Sequence, residues 1–177
     1  MNFNQIKERD QEYILPTYKR FDVCIERGRG ATCTGSDGKK YIDFTSGIGV
    51  NSLGYADPDW VRAVSEQAGK LAHISNLYYS LPDGELAERL CKRTGYSRVF
   101  FGNSGAEANE GAIKTARKYS FDKYGAGRNT IVTLVNSFHG RTVTTLSATG
   151  QDVFHQYFGP FTEGFKYANA NDILSVA

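Results

Sequence analysis

Apolar residues recur along this chain at two different periods, and the changes from one period to the other mark its elements. Val61, Val64, Ala68 and Leu71 fall three or four residues apart, the spacing of one helix face. Asp57-Pro58-Asp59 just before them reads as a helix start: an N-cap, a proline in the first turn, and an acid at the positive end. Leu86 and Leu90 lie one turn apart and predict a second helix after Pro82, ending near Gly95. Residues 106–119 predict a third helix, and residues 142–148 a short one. Between these lie strand-like runs. Residues 31–34 and 39–44 flank Gly35-Ser36-Asp37-Gly38, a hairpin signal. Residues 98–101 and 131–135 read as short strands. Helix, strand, helix, strand in that order predicts an α/β fold with a largely parallel sheet. Residues 169–172 read as the start of another helix, with residues 173–177 as its first turn. That unfinished helix, beside only two strands of the parallel sheet, sets the expectation of a truncated domain.

Composition narrows the class. A chain of 177 residues suits one domain or part of a larger one. With 40% hydrophobic and 23% charged residues it is globular material rather than a disordered segment. A net charge of +2 gives no argument for nucleic acid or an anionic membrane surface. Cys24, Cys33 and Cys91 show no CxxC spacing, and with His73, His139 and His155 they form no zinc pattern. Free thiols in a reducing cytoplasm are expected. The N-terminus MNFNQIKERD lacks the apolar core of a secretory signal, and the longest apolar runs are too short to span a bilayer. The expectation is a soluble, intracellular protein without a metal site.

The candidate chemistry lies at two joints. In RVFFGNSGAEANEGAIKTARKY (residues 98–119), a strand passes into a helix through Gly102-Asn103-Ser104-Gly105-Ala106, almost without side chains. Such a joint is either a plain capped turn or an anion site, because the first NH groups of a helix point outward into positive potential. Glu107, like Glu110 beyond it, puts negative charge in the first turns. Its capping-box spacing from Ser104 predicts that it bends back to the Ser104 NH and leaves the outer NH groups free. The second joint is Phe138-His139-Gly140-Arg141, at the carboxyl end of a strand, where α/β proteins bind ligands. Phe138 is core or ligand contact. Arg141 is a solvent arginine or a two-pronged grip on a carboxylate. A third pattern, Gly47-Ile48-Gly49-Val50-Asn51-Ser52, resembles GxGxxG but lacks the third glycine and a following helix. There is no GxxxxGK[ST], so a nucleotide-binding module is disfavoured.

NSGAEANEGAIKTARKY and NSFHGRTVTTLSATGQ resemble the class III, fold-type I aminotransferases that use pyridoxal 5′-phosphate (PLP), most of all the acetylornithine aminotransferases. GKKYIDFTSGIGVNSLGYADPDWVRAV, LAHISNLYY, FGPF and FKYANANDI extend the resemblance over nearly the whole chain in the family's order. It implies the N-terminal part of such an enzyme. Residues 1–55 would be a β-like segment of the small-domain and dimer-contact region, and residues 56–177 the first part of the PLP-binding large domain. The rest of the large domain and the C-terminal small domain would lie downstream. The resemblance also implies that backbone at Ser104, Gly105 and Ala106 holds the PLP phosphate, that Phe138 stacks on the ring, and that Arg141 takes the substrate α-carboxylate. Gly47 would leave room for an acyl group where ornithine aminotransferases tend to carry tyrosine. Ala106 stands where many relatives have threonine, and Tyr55 where histidine is common. None of the ten lysines sits in the family's Schiff-base motif, so no catalytic residue is expected in this chain and the fragment alone is expected to be inactive. The implied reaction converts N-acetylornithine and 2-oxoglutarate to N-acetylglutamate 5-semialdehyde and glutamate, in arginine biosynthesis, by a cytoplasmic homodimer. The alternatives are another class III ω-aminotransferase acting on ornithine, succinylornithine or 4-aminobutyrate, or a non-catalytic paralogue that binds a phosphate ligand.

Overall fold

Asn2 and Gln5 each accept the other's backbone NH at 3.0 Å. This reciprocal cap starts helix α1 (Phe3–Tyr13), an element that the weak apolar periodicity of the N-terminus did not predict. The computed structural model describes residues 2–176, which divide into two compact units between Ser80 and Leu81.

In the first unit, β1 (Ile25–Arg29), β2 (Thr32–Gly35) and β3 (Lys40–Ile42) form an antiparallel sheet in that order. The expected hairpin is β2–β3. Its turn closes through Gly35 N–H to the Lys39 carbonyl (2.9 Å), and Gly38 supplies the left-handed residue at φ +78°. β1 was not anticipated. Helix α2 (Pro58–Lys70) starts as its sequence predicts, with the Asp57 carboxylate accepting Trp60 N–H at 2.9 Å. Its apolar stripe remains uncovered among the described residues: Val61, Val64 and Leu71 are 42%, 47% and 49% exposed.

The second unit carries α3 (Leu81–Thr94), α4 (Gly105–Tyr124), β4 (Ile131–Leu134), α5 (Val143–Ala148) and β5 (Phe165–Ala168). β4 and β5 pair in parallel, from Ile131 opposite Phe165 to Leu134 opposite Ala168. The helices with this parallel pair make an α/β fold, as expected. β5 had not been read from the sequence. Residues 98–101, expected as a strand, are irregular and belong to no sheet. A strand exists only through hydrogen bonds to a neighbour, and among the described residues none lies alongside. The turn at 173–175 is a single 3-10 turn capped by Asp172, and Ala177 lies outside the described residues.

Residues 145–149 form the most deeply buried run of this unit. Four of the five side chains, Thr145, Ser147, Ala148 and Thr149, are small, and each buried hydroxyl is satisfied. Thr149 Oγ1 donates to the Thr145 carbonyl (2.9 Å), and Ser147 Oγ donates to the Val143 carbonyl (2.7 Å). The sheet answers from its side: Thr133 Oγ1 donates to the Ala148 carbonyl (2.7 Å), and the Tyr167 hydroxyl to the Ser147 carbonyl (2.6 Å). At the end of β4, Asn136 takes φ +64°, a conformation asparagine tolerates, and turns the chain into the loop that precedes α5. No helix among the described residues is long and apolar enough to cross a membrane.

Candidate functional site

Helix α4 begins at a bare N-terminus. Ser104 is extended (φ −152°, ψ 163°), and its hydroxyl accepts Glu107 N–H at 3.2 Å. Ala108 N–H is the first to reach a helical carbonyl, that of Ser104, at 3.0 Å. The NH groups of Ser104, Gly105 and Ala106 are therefore the orphan donors of this helix. Glu107 does not close the expected box. Its carboxylate accepts Asn103 N–H at 2.6 Å and Asn103 Nδ2 at 3.3 Å, rather than Ser104 N–H. The incoming chain runs close to this side chain at Gly102, where a Cβ would lie 3.2 Å from Glu107 Cβ. The carboxylate also accepts the Ser104 hydroxyl at 3.4 Å, so its charge stays at this helix end, engaged by Asn103 and Ser104 Oγ rather than by the backbone NH groups of Ser104, Gly105 and Ala106. Phe100 packs on the next turns of α4, where a Cβ at Gly111 would meet its ring at 2.7 Å.

The loop after β4 is fastened to the same end of α4 in three ways. Asn109 Nδ2 donates to the His139 carbonyl at 2.8 Å, and Thr142 Oγ1 to the Glu110 carboxylate at 2.5 Å. Between them Gly140, at φ +135°, faces Ala106. A Cβ on Gly140 would lie 2.7 Å from Ala106 Cβ and 2.6 Å from Thr145 Oγ1. Ser104, Gly105 and Ala106 are thus brought to one place with the loop that carries Phe138 and Arg141. Phe138 keeps 55% of its surface exposed and meets Phe154 edge-on, with ring centres 6.1 Å apart. The Arg141 guanidinium lies 6.0 Å from the Phe138 ring centre and 5.0 Å from that of Phe154. His139 donates its backbone NH to Thr149 Oγ1 (3.0 Å), while its buried Nε2 finds no hydrogen-bond partner among the described residues. Among the described residues no three His, Cys, Asp or Glu side chains are grouped to hold a metal ion.

Gly47 belongs to the first unit, in a run of left-handed residues: Ser46 (φ 48°), Gly47 (59°), Ile48 (59°) and Gly49 (86°). Asp43 holds this run at its start. Its Oδ1 accepts Thr45 N–H (2.7 Å), Thr45 Oγ1 (2.7 Å) and Ser46 N–H (3.1 Å), and its Oδ2 accepts the Tyr55 hydroxyl (2.8 Å). The hydrogen bonds from Thr45, and then that from Tyr55, pull the Asp43 carboxyl down to about 2. The same bond to Asp43 raises Tyr55 above the ordinary phenol range. The Tyr55 ring also occupies the space over Gly28, where a Cβ would lie 2.5 Å from it. Tyr55 is therefore built into the turn that carries Gly47.

Sequence reasoning missed Asn109, Gly140 and Phe154. Asn109 stands one helical turn beyond Ala106, which was the only signal of its role. Gly140, between His139 and Arg141, could have been asked why it is glycine. Phe154 had no local signal.

A family model described as Aminotransferase class-III matches residues 13–176. An acetylornithine aminotransferase of Haemophilus ducreyi is 60% identical over 173 residues, covering 98% of this chain and 44% of that protein. One from Wolinella succinogenes is 53% identical over 165 residues, covering 92% of this chain and 42% of that protein. Among solved structures, the ornithine aminotransferase of Toxoplasma gondii superposes with a TM-score of 0.93 at 28% identity, over 99% of this chain and 42% of that one. A second structure of that Toxoplasma enzyme has PLP at partial occupancy in its active site. The chain spans less than half the length of these relatives.

Proposed function

The chain belongs to the class III aminotransferases, and from that premise we propose that the full-length protein is a PLP-dependent transaminase acting on N-acetylornithine and 2-oxoglutarate. The observation that carries the reading is the fastening of the Phe138–Arg141 loop against the open N-terminus of α4. A phosphate fits the orphan NH groups of Ser104, Gly105 and Ala106, where donors and helix dipole act together. A flat ring fits the exposed face of Phe138. PLP, when bound, supplies the electron sink for moving an amino group.

The residues of this chain do the rest of the positioning. The backbone of Ser104, Gly105 and Ala106 anchors the cofactor without needing a side chain, so alanine at 106 keeps the main contact. Asn109, by holding the His139 carbonyl, fixes the loop relative to that anchor. Arg141 offers two parallel NH donors to a carboxylate, and N-acetylornithine and 2-oxoglutarate each carry an α-carboxylate. Gly47 presents no side chain, which suits a substrate with an acyl group. The Schiff-base lysine and the carboxylate for the ring nitrogen are assigned to the part of the relatives' length that this chain does not span. Residues 1–55 and 56–177 are assigned to the small-domain and large-domain portions, and the protein to a cytoplasmic homodimer in arginine biosynthesis.

The test is turnover by the purified full-length protein. Glutamate should form from N-acetylornithine and 2-oxoglutarate with higher kcat/KM than from ornithine, succinylornithine or 4-aminobutyrate. A clear preference for one of those three would reassign the substrate. PLP bound without any turnover would make the protein a ligand-binding paralogue.

A further inference from the structure

Phe154 touches both residues on which the proposed site depends, and nothing in the sequence placed it there. It sits in a single 3-10 turn, Asp152–Phe154, between α5 and β5. That turn is fixed at both ends. Gln151 Nε2 donates to the Ser137 carbonyl at 3.1 Å, which ties the turn to the root of the Phe138–Arg141 loop. His155 Nε2 lies 2.9 Å from the Leu146 carbonyl. A carbonyl only accepts, so this nitrogen carries the proton. The His155 ring is wedged against Phe161 and Tyr167, with ring centres 4.9 Å and 6.1 Å away. Between these two anchors Val153 faces out, 63% exposed, and Phe154 faces in. Its ring meets Phe138 at an edge angle of 66° and lies 5.0 Å from the Arg141 guanidinium, closer than the 6.0 Å from Phe138.

We propose that Phe154 is a positioning residue for substrate: from a rigid turn it holds the Arg141 guanidinium by a cation–π contact, so that the fork is set before the carboxylate arrives. The proposal rests on the reading of Arg141 as the carboxylate-binding arginine. A long, exposed arginine side chain can sample many rotamers even on a fixed loop, and binding must then overcome that freedom. A ring face within about 6 Å of the guanidinium restricts it and attracts the charge. The flanking hydrogen bonds give Phe154 little freedom of its own. The edge contact with Phe138 is a weaker consequence of the same placement.

The test uses the full-length PLP-loaded protein, with cofactor content read from absorbance. Phe154→Leu keeps an apolar side chain and removes the π face, whereas Phe154→Tyr keeps the face. Phe154→Met gives the same comparison if the leucine variant does not accumulate with cofactor. One readout is KM and kcat for N-acetylornithine and 2-oxoglutarate. The other is the dissociation constant of glutarate, a dicarboxylate that carries no group to react. Phe154→Leu should raise both KM values and the glutarate Kd roughly two- to tenfold, the range of a cation–π contact. Its kcat should stay within about twofold, because Phe154 does not touch the reacting atoms. Phe154→Tyr should behave as the parent, and in an Arg141→Ala background Phe154→Leu should cause no further loss. Arg141→Ala impairing binding while Phe154→Leu leaves KM and Kd unchanged would overturn the role of Phe154 and leave Arg141 in place. A tyrosine variant as defective as the leucine variant, or a loss confined to kcat, would also overturn it. Arg141→Ala without effect would instead remove the reading beneath it.

Discussion

Gly140→Ala tests whether the close approach of the loop to α4 is what assembles the site. Two separate penalties follow from the geometry. The residue has φ +135°, a region side chains rarely adopt, and strain of that kind costs about 1–3 kcal/mol. The added Cβ would also lie 2.6 Å from Thr145 Oγ1, 2.7 Å from Ala106 Cβ and 3.0 Å from Ala106 Cα. Thr145 is fully buried and its hydroxyl accepts Thr142 N–H at 3.1 Å, while Ala106 is fixed in a helix, so neither yields easily. Overpacking of this sort costs about 1–3 kcal/mol more. Gly127→Ala separates the two. Gly127 has φ +97° but nothing within 4 Å of its Cβ position, so it carries the strain alone. Guanidinium unfolding of the full-length protein, with the slope checked for constancy, should show Gly140→Ala less stable than Gly127→Ala by about 1–3 kcal/mol. If the loop moves to relieve the overlap, part of that loss appears as weaker PLP binding in a titration. Ala106→Gly added to Gly140→Ala should recover part of it, because one of the crowding atoms is gone. Gly140→Ala matching Gly127→Ala in both stability and PLP affinity would refute the argument that this contact constrains the loop.

Other consequences follow from the same structure. Arg141→Ala in the full-length protein should retain PLP but lose about 2–5 kcal/mol of binding to N-acetylornithine and 2-oxoglutarate alike, roughly thirtyfold to several thousandfold in kcat/KM. Arg141→Lys, which keeps charge but not the fork, should fall between, and 4-aminobutyrate, without an α-carboxylate, should change much less. The Asp43 carboxyl, held at about 2 by its hydrogen bonds, should keep the 43–55 turn ordered above its ordinary pKa near 3.8. Because its folded value is the lower one, that contribution is present above pH 4 or so and is lost as pH falls towards 2. Carbon-13 NMR of the aspartate carboxyls would reveal a midpoint near the ordinary value if the cluster does not form. Tyr55 should ionise above the ordinary phenol range, so the difference in absorbance titration between the parent and Tyr55→Phe should emerge only at high pH. Residues 1–177 alone should form no glutamate: glutamate made from N-acetylornithine and 2-oxoglutarate by this segment would contradict the assignment of the Schiff-base lysine elsewhere.

What could be read from the sequence is what neighbouring residues settle among themselves. Asp57-Pro58 starts α2, Gly38 turns the hairpin, Ser104 caps α4 and Gly95 ends α3, because caps and turns are decided within four or five residues by hydrogen bonds the chain makes locally. The small residues at 102–106 announced an open helix N-terminus for the same reason. The helical stripe of Val61, Val64 and Leu71 was also legible, but whether it is covered is not a local property, and here it is exposed. Tertiary structure decided the rest. Residues 98–101 have strand-like composition without a sheet neighbour, and β1 and β5 are strands because partners lie beside them. Glu107 turned to Asn103 rather than to the Ser104 backbone NH that its spacing predicts. The joining of the 104–106 and 138–141 segments depends on Asn109 meeting His139 thirty positions away, and on the absence of a side chain at Gly140. Phe154 reaches Arg141 only because His155 and Gln151 fasten its turn to Leu146 and Ser137. Such contacts depend on atoms distant in sequence arriving within a few ångströms, which no pattern along the chain encodes by itself.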